Sequence, residues 1–386
     1  MFNSIFIGLS GMNAFSDGLR QISNNITNIN TTGFKSTGLG FSSMFSHGSV
    51  DHQGNGQGVS LSDPWLDFSQ GELRQTSRDL DLSVDGDGFL VLLKGAETFY
   101  ARTSSFEVDK EGYLVVSGTN NRLGVLNESG VPVGISINGY RTSTPERTTT
   151  VKFADNLSST ATTHNLPNIK VFDAMGGSDN WSAKFTRATS DPAGQWTLTV
   201  SDSTGTEIGH QTLKFNNGVI DPTTAKLTFE QAGTGRSAEF DFSANVTSFS
   251  SGDASTLRAA SIDGHGVGDI TGIRVNDKGE VEISYSNEQK KTLGSVAIAK
   301  FRDPQKLEER SAGLFAYNGQ DGIEFLTSAH EEVGQVMSNR LEASNVQLSK
   351  EFGDLILVQR GFQASSQVVS VSNDMIQQLF GIRGQG

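Results

Sequence analysis

The chain is predicted to be mainly β with α-helical termini. Its N- and C-terminal helices pair as a coiled coil, and two β domains lie between them in a nested multidomain chain, the outer domain inserted in the inner one. Three observations predict this. Both ends carry apolar residues at seven-residue spacing with almost no charge, and the middle alternates apolar and polar residues in short runs. The 386 residues also include 44 glycines, above the usual share of about 7%, as a protein of many tight turns requires.

The carboxyl-terminal stretch organises the rest. Ser344-Asn345-Val346-Gln347 reads as a capping box, and Leu348, Leu355, Phe362, Val369 and Ile376 then fall at one heptad position. Phe352, Val358, Leu379 and Phe380 widen the stripe. The opposite face is nearly uncharged: from Gly361 to Gly386 only Asp374 and Arg383 carry charge. A solvated helix normally presents Lys and Glu, so this one is built to pack against other polar faces. Gly353 and Gly361 each cost about 1 kcal/mol of helix relative to Ala, and the helix is not expected to stand alone.

The amino end matches it. Ile5, Met12, Leu19 and Ile26 form one heptad line, with Gly8, Phe15, Ile22 and Ile29 three residues further along each time, and residues 1 to 34 hold only two charges, Asp17 and Arg20. Two such helices invite pairing with each other and with neighbouring copies. The candidate assembly residues are therefore Ile5, Met12, Phe15, Leu19, Ile22, Ile26 and Ile29, with Leu348, Phe352, Leu355, Phe362, Val369, Ile376 and Leu379.

Between the helices the expected order is as follows. Asn30 to Lys35 stops the first helix. Residues 35–70 and 334–344 form an extended or loosely ordered connector, rich at first in Ser, Gly and Gln. Residues 71–146 and 268–333 form the inner β domain, and 147–267 the inserted outer one; the helical domain is 1–34 with 345–386. Leu80, Leu82 and Val84 alternate with Asp79, Asp81, Ser83 and Asp85 as a half-buried strand does. Phe89 to Leu93 and Tyr113 to Val116 follow, and turns fall at Asp85-Gly86-Asp87-Gly88 and Asp109-Lys110-Glu111-Gly112. In the outer domain Trp181, Ala183 and Phe185, then Trp196, Leu198 and Val200, alternate with polar residues; the strand spacing suggests a barrel or sandwich. A hairpin at Asn276-Asp277-Lys278-Gly279 and a strand at Val296 to Phe301 complete the inner domain.

A net charge of −13 argues against nucleic acid or an anionic membrane as the main partner. Cysteine is absent, which removes disulfides and thiolate chemistry. No apolar run approaches the roughly 20 residues of a membrane span. Met1 to Met12 is apolar, but no Lys or Arg precedes Arg20, so if the protein leaves the cytoplasm it is expected to do so without a standard cleavable signal. The acidic cadence from Asp81 has Leu92 where a calcium loop needs Glu, and reads as a hairpin turn. The histidines His47, His52, His164, His210, His265 and His330 share no metal-ligand spacing. Gly54-Asn55-Gly56-Gln57-Gly58 and Gly264-His265-Gly266-Val267-Gly268 lack phosphate-loop context, and no Gly-x-Ser-x-Gly elbow lies near a strand. No catalytic, cofactor or metal residue is nominated, and an enzyme is not expected.

Ser23-Asn24-Asn25-Ile26-Thr27-Asn28-Ile29-Asn30-Thr31-Thr32-Gly33-Phe34-Lys35 resembles the amino-terminal signature of bacterial flagellar rod and hook proteins, with Asn24, Asn25, Asn28, Thr32, Gly33, Phe34 and Lys35 as its marked positions. Leu341 to Glu351, followed by Gln359-Arg360-Gly361-Phe362-Gln363-Ala364, is similar to that family's closing helix. Asp85-Gly86-Asp87-Gly88-Phe89 and Tyr285-Ser286-Asn287-Glu288-Gln289 resemble its hook members in particular. The likeness is strongest at the ends and weakest over 151–267; length and the inserted domain favour hook over distal rod.

The resemblance implies a structural subunit that polymerises with itself into a curved hollow tube outside the cell, the flexible joint carrying motor torque from rod to filament. It implies export unfolded through the flagellar type III apparatus, and contacts with a distal rod protein, a hook cap protein and a hook-filament junction protein. Phe41-Ser42-Ser43-Met44-Phe45 is similar to an export-gate motif through Phe41 and Phe45, the alternative being an apolar anchor for the connector. Alternatives to the hook are a distal rod component and, from another class, a secreted β-sandwich adhesin binding glycans through Trp181 and Trp196.

Overall fold

The computed structural model describes residues 2–45, 56–187, 194–319, 322–328 and 330–383. His47, His52, Gly54 and Asn55 lie outside the described residues, as do the side chains of Phe45, Leu379 and Phe380. The chain divides into two compact units: Met1–Asn138 with Ile273–Ile283 and Lys291–Gly386, and Gly139–Gly272 with Ser284–Lys290.

The first unit holds both long helices, α1 (Phe2–Thr27) and α2 (Leu348–Arg383). They bound a large, mostly antiparallel sheet. In spatial order its main path runs 307–309, 314–317, 97–101, 89–94, 122–126, 114–116, 103–108, 81–85 and 335–338, with 298–301 also paired to 89–94. The strand Phe89–Lys94 shows why the unit is well packed. Its side chains alternate across the pleat, so Leu90 and Leu92 enter one apolar cluster with Phe106, Leu123 and Ile298. Phe89 and Val91 enter another with Tyr100, Phe301 and Phe315. In the second cluster the rings meet edge to face: Phe89–Phe301 at 5.3 Å and Tyr100–Phe301 at 4.8 Å between centroids.

Several local expectations are corrected. The strand Asp81–Asp85 is buried on both faces, not half-buried, because 103–108 and 335–338 flank it and the connector covers its polar side. The Asp85–Gly88 turn is not a hairpin. Its two strands pair with other neighbours, and the turn is a corner in which Gly86 takes φ +135°. The connector is partly ordered: Phe41–Phe45 and Gly56–Leu61 form an antiparallel pair, and Thr37–Gly38 pairs with Trp65–Leu66. Nor does α2 begin after a capping box at Ser344. It begins at Leu348: Ser344 Oγ accepts from the Val346 amide (3.3 Å) within an extended segment that Asn345 ties down, donating to the Asp67 and Ser69 carbonyls (2.7 and 3.1 Å) and accepting from the Ser36 amide (2.8 Å).

The second unit is one sheet in the order 163–172, 178–186, 195–201, 207–216, 219–220, 246–247, 150–156, 236–241, 226–231, with 258–262 also paired to 150–156. Its inward side chains form a single core in which Val151, Phe153, Phe185, Leu198, Phe240 and Phe242 are buried. Trp181 and Trp196 are completely buried there. They are core residues rather than a glycan platform, and the adhesin alternative loses the feature it rested on.

Candidate assembly site

The two helices run antiparallel, and glycine decides how closely. A Cβ placed on Gly8 would lie 2.7 Å from Val369 Cγ2, and one on Gly11 would lie 3.3 Å from Ser365 Cβ. The Phe15 ring fills the notch at Gly361, where a Cβ would sit 2.4 Å from its Cζ. Gly18 faces Val358, which is buried. One further turn along, Asn25 meets Glu351. The contact face of α2 is thus Glu351, Leu355, Val358, Phe362, Ser365, Val369, Ser372 and Ile376, which are buried or half-buried at alternating steps of four and three, the spacing of a coiled-coil seam.

Of the candidate assembly residues, Ile22 is fully buried, and Ile5, Met12, Phe15, Leu19, Ile26, Ile29, Leu355, Phe362, Val369 and Ile376 are half-buried. Leu348 and Phe352 are exposed instead, since they sit off the seam at the root of α2. The connector pair lies along α1. Phe41 packs on Phe15 at 5.2 Å between ring centroids, and the Val59 amide donates to Ser10 Oγ at 3.3 Å.

The roots of the helices are held by polar groups. α1 ends at Thr27; Asn28 Nδ2 donates to the Asn24 carbonyl (2.9 Å), and Gly33 turns the chain at φ +72°. Asn24 and Thr32 are exposed, whereas Gly33, Phe34 and Lys35 are buried. Lys35 Nζ donates to Glu342 Oε1 at 2.6 Å and to the Ser69 carbonyl at 2.7 Å. Glu342 is fully buried and acts as a hub: Oε1 also accepts from the Gly71 amide at 2.8 Å, and Oε2 faces Arg102 Nε at 3.4 Å. Arg102 in turn donates to the carbonyls of Gly86 and Gly88, which explains the corner there, and lies over the Phe89 ring. Burial pushes the Lys35 ammonium below its usual range against the pull of Glu342.

A second buried polar pair lies at the base of the coiled coil. Asn25 Nδ2 donates to both Glu351 oxygens (3.2 Å each) and to the Thr37 carbonyl (3.0 Å), while its Oδ1 accepts from the Thr37 amide (3.0 Å). Burial pushes the Glu351 carboxyl up; the Asn25 hydrogen bond draws it back, Asp354 adds to the rise and Lys350 opposes it. Sequence reasoning quoted Glu342 and Glu351 only as part of a motif and gave Arg102 no role. Their partners are hundreds of residues away in sequence, so no local pattern could find them.

The helices leave a second apolar stripe uncovered. Leu357, Val368, Val371 and Met375 follow one face of α2, about 100° round from the seam, and are exposed, Leu357 to 67%. Ile356 is exposed beside this row, Phe352 on the other flank of the seam, and Phe6 and Leu9 on α1. Scattered exposed apolar residues are ordinary, but a continuous row along paired helices marks an interaction surface. The fold therefore defines a class of protein: one whose two ends pair as long helices that carry an exposed apolar row.

The comparisons with known proteins fall on these same helices. A model for the flagellar basal body rod FlgEFG protein C-terminal region matches residues 337–382, and one for the flagella basal body rod protein matches residues 5–35. The flagellar hook protein FlgE of Treponema pallidum is 27% identical over 99% of this chain and 100% of its own length. That of Escherichia coli K12 is 29% identical over 97% of this chain and 98% of its own. The solved structure of the Helicobacter pylori flagellar hook protein FlgE2 aligns with a TM-score of 0.49 at 12% identity, over 71% of this chain and 100% of that one. At both ends, and at lower identity over nearly its whole length, the chain is similar to flagellar rod and hook proteins.

Proposed function

We propose that the chain is the structural subunit of a bacterial flagellar hook, a self-assembling tube that joins rod to filament and bends while transmitting torque. The observation that carries this reading is the helix pair itself. It is formed by the two ends that match rod and hook family models, and it leaves an apolar stripe uncovered. The occupant of that stripe is the helix pair of further copies, since the stripe bears no charge for a polar partner to meet.

In this reading Ile5, Met12, Phe15, Leu19, Ile22, Ile26 and Ile29 with Leu355, Phe362, Val369 and Ile376 hold the pair together. Leu348, Phe352 and, on the other flank of the seam, the exposed row meet neighbouring copies. The signature residues Asn24, Asn25, Asn28, Thr32, Gly33, Phe34 and Lys35 fasten the root of the helices. The tight apolar helices resist twist; the polar, glycine-rich β surfaces allow neighbouring copies to slide with small differences in contact energy. The four-part division into helical ends, connector, inner β and outer β domains belongs to the same proposal. So do location in the extracellular flagellum, export unfolded through the type III apparatus without a cleavable signal, with Phe41 and Phe45 as its motif, and contacts with the distal rod, hook cap and hook-filament junction proteins.

Electron microscopy of purified full-length chain under assembly conditions tests the reading. Curved hollow tubes are expected, and straight ones would favour a rod component. A chain trimmed of residues 1–34 and 345–386 is expected to stay unassembled; if it forms the same tubes, the helices are not the assembling element.

A further inference from the structure

Each helix stripe repeats every seven residues, so apolar contact alone does not choose how the helices are aligned. Moving α2 by one heptad, about 10 Å at 1.5 Å per residue, would again lay stripe on stripe. Ser365 would then face Gly18 rather than Gly11, and Asn25 would face Val358 rather than Glu351. Most apolar seam residues meet another apolar or small residue in that arrangement, with Phe15 leaving its notch at Gly361 for Val368. Asn25 and Glu351 find no polar partner there. Asn25 is 1% and Glu351 4% exposed, and a slip would leave the buried Asn25 amide against a valine and carry the Glu351 carboxylate past the end of α1, away from its donor.

We propose that the Asn25–Glu351 hydrogen-bonded pair is the register pin of the helix pair, fixing the alignment of α1 against α2 that the heptad stripes leave open. Both hydrogens and the oxygen of the Asn25 amide are engaged, one edge on the Thr37 backbone and the other on Glu351. The side chain therefore locks α1 to the connector and to α2 at one point. A buried polar residue in an apolar seam acts in this way generally: it costs stability and rejects other alignments. Asn25 and Glu351 are positioning residues here, acting through the alignment of the apolar surface that meets other copies. This rests on the helices being paired in the assembled protein.

Engineered cysteines test it cleanly because the chain has none of its own. Gly11→Cys with Ser365→Cys reports the observed alignment, since the two Cβ positions lie 3.3 Å apart, near the usual disulfide separation. Gly18→Cys with Ser365→Cys reports the slipped one. In assembled full-length protein the first pair should oxidise and the second should not. If the first fails to oxidise, the pairing itself is wrong. In an Asn25→Leu/Glu351→Leu background the slipped pair should rise from background to a yield comparable with the native pair; if only the native pair forms, the Phe15–Gly361 notch sets the alignment and the pin is refuted. Asn25→Leu alone gives the same reading should the double variant not assemble. Glu351→Gln keeps a hydrogen-bonding partner and should retain the native pair exclusively; slippage there overturns the proposal.

Discussion

Glu342 is one carboxylate facing two buried cations, and that asymmetry sets a prediction. Glu342→Gln preserves shape but leaves Lys35 and Arg102, whose side chains are 1% and 2% exposed, without an anion. The new amide N–H group also points at existing donors. Removing one partner of a buried ion pair typically costs about 3–5 kcal/mol, and that range is expected here. Lys35→Met removes a cation from a cluster that still keeps a one-to-one Arg102–Glu342 pair. The Ser69 carbonyl that it leaves also accepts from Asn345. Its cost should be smaller, about 1–2 kcal/mol. The double variant should cost less than the sum, because both changes act on one network. Urea unfolding of the full chain, followed by the helicity of α1 and α2 in the same unit, reads each value. The hub reasoning is refuted if Lys35→Met costs more than Glu342→Gln, or if the two costs simply add.

Three further outcomes follow from the helix pair. Leu355→Asp with Phe362→Asp, both on the seam, should abolish polymerisation observed by sedimentation while the β core still melts cooperatively. Gly353 has nothing within 4 Å of an added Cβ, so Gly353→Ala should stabilise α2 by about 1 kcal/mol; Gly361→Ala should instead cost about 1–3 kcal/mol, because its Cβ strikes the Phe15 ring. Thermal melts monitored by helicity separate the two. Finally, the Glu351 carboxyl is raised on folding, so its protonated form is favoured when the helices pair. Its contribution is greatest below the ordinary value of 4.5, declines as pH rises through the folded value and then levels off; amide exchange of α1 and α2 across pH should show this slope, and Glu351→Gln should flatten it.

The helices were legible because periodicity is a local property: Ile22, Val358 and Val369 fall on the seam that their spacing predicts. Gly361 shows the limit of that reasoning. By propensity it is only a cost, yet its missing side chain is the notch that Phe15 occupies. Alternation around Leu82 correctly indicated a strand, but period two does not report a second covering layer, so burial of Ser83 and Asp81 was missed. The Asp85–Gly88 turn was recognised and its strands wrongly paired, because turn chemistry fixes a change of direction and not the choice of neighbour. Glu342 was hidden for the plainest reason: its partner Lys35 is 307 residues away in sequence, and a lone Glu before a helix carries no sign of a buried hub.

The distribution of polarity along the helix pair has a consequence for how the subunit meets its neighbours. At the root, every contact is strong and internal: Lys35, Glu342, Arg102, Asn25 and Glu351 find their partners within one chain. Along the shaft the contacts are mostly apolar, and a second apolar row, Leu357, Val368, Val371 and Met375, is exposed. Polar partners demand particular geometry, whereas apolar surfaces accept a range of positions at similar energy. A chain that fixes its root by charge and leaves its shaft to be covered by others is therefore rigid where its own two ends must be aligned. It is permissive where neighbouring copies must adjust to one another as a tube curves.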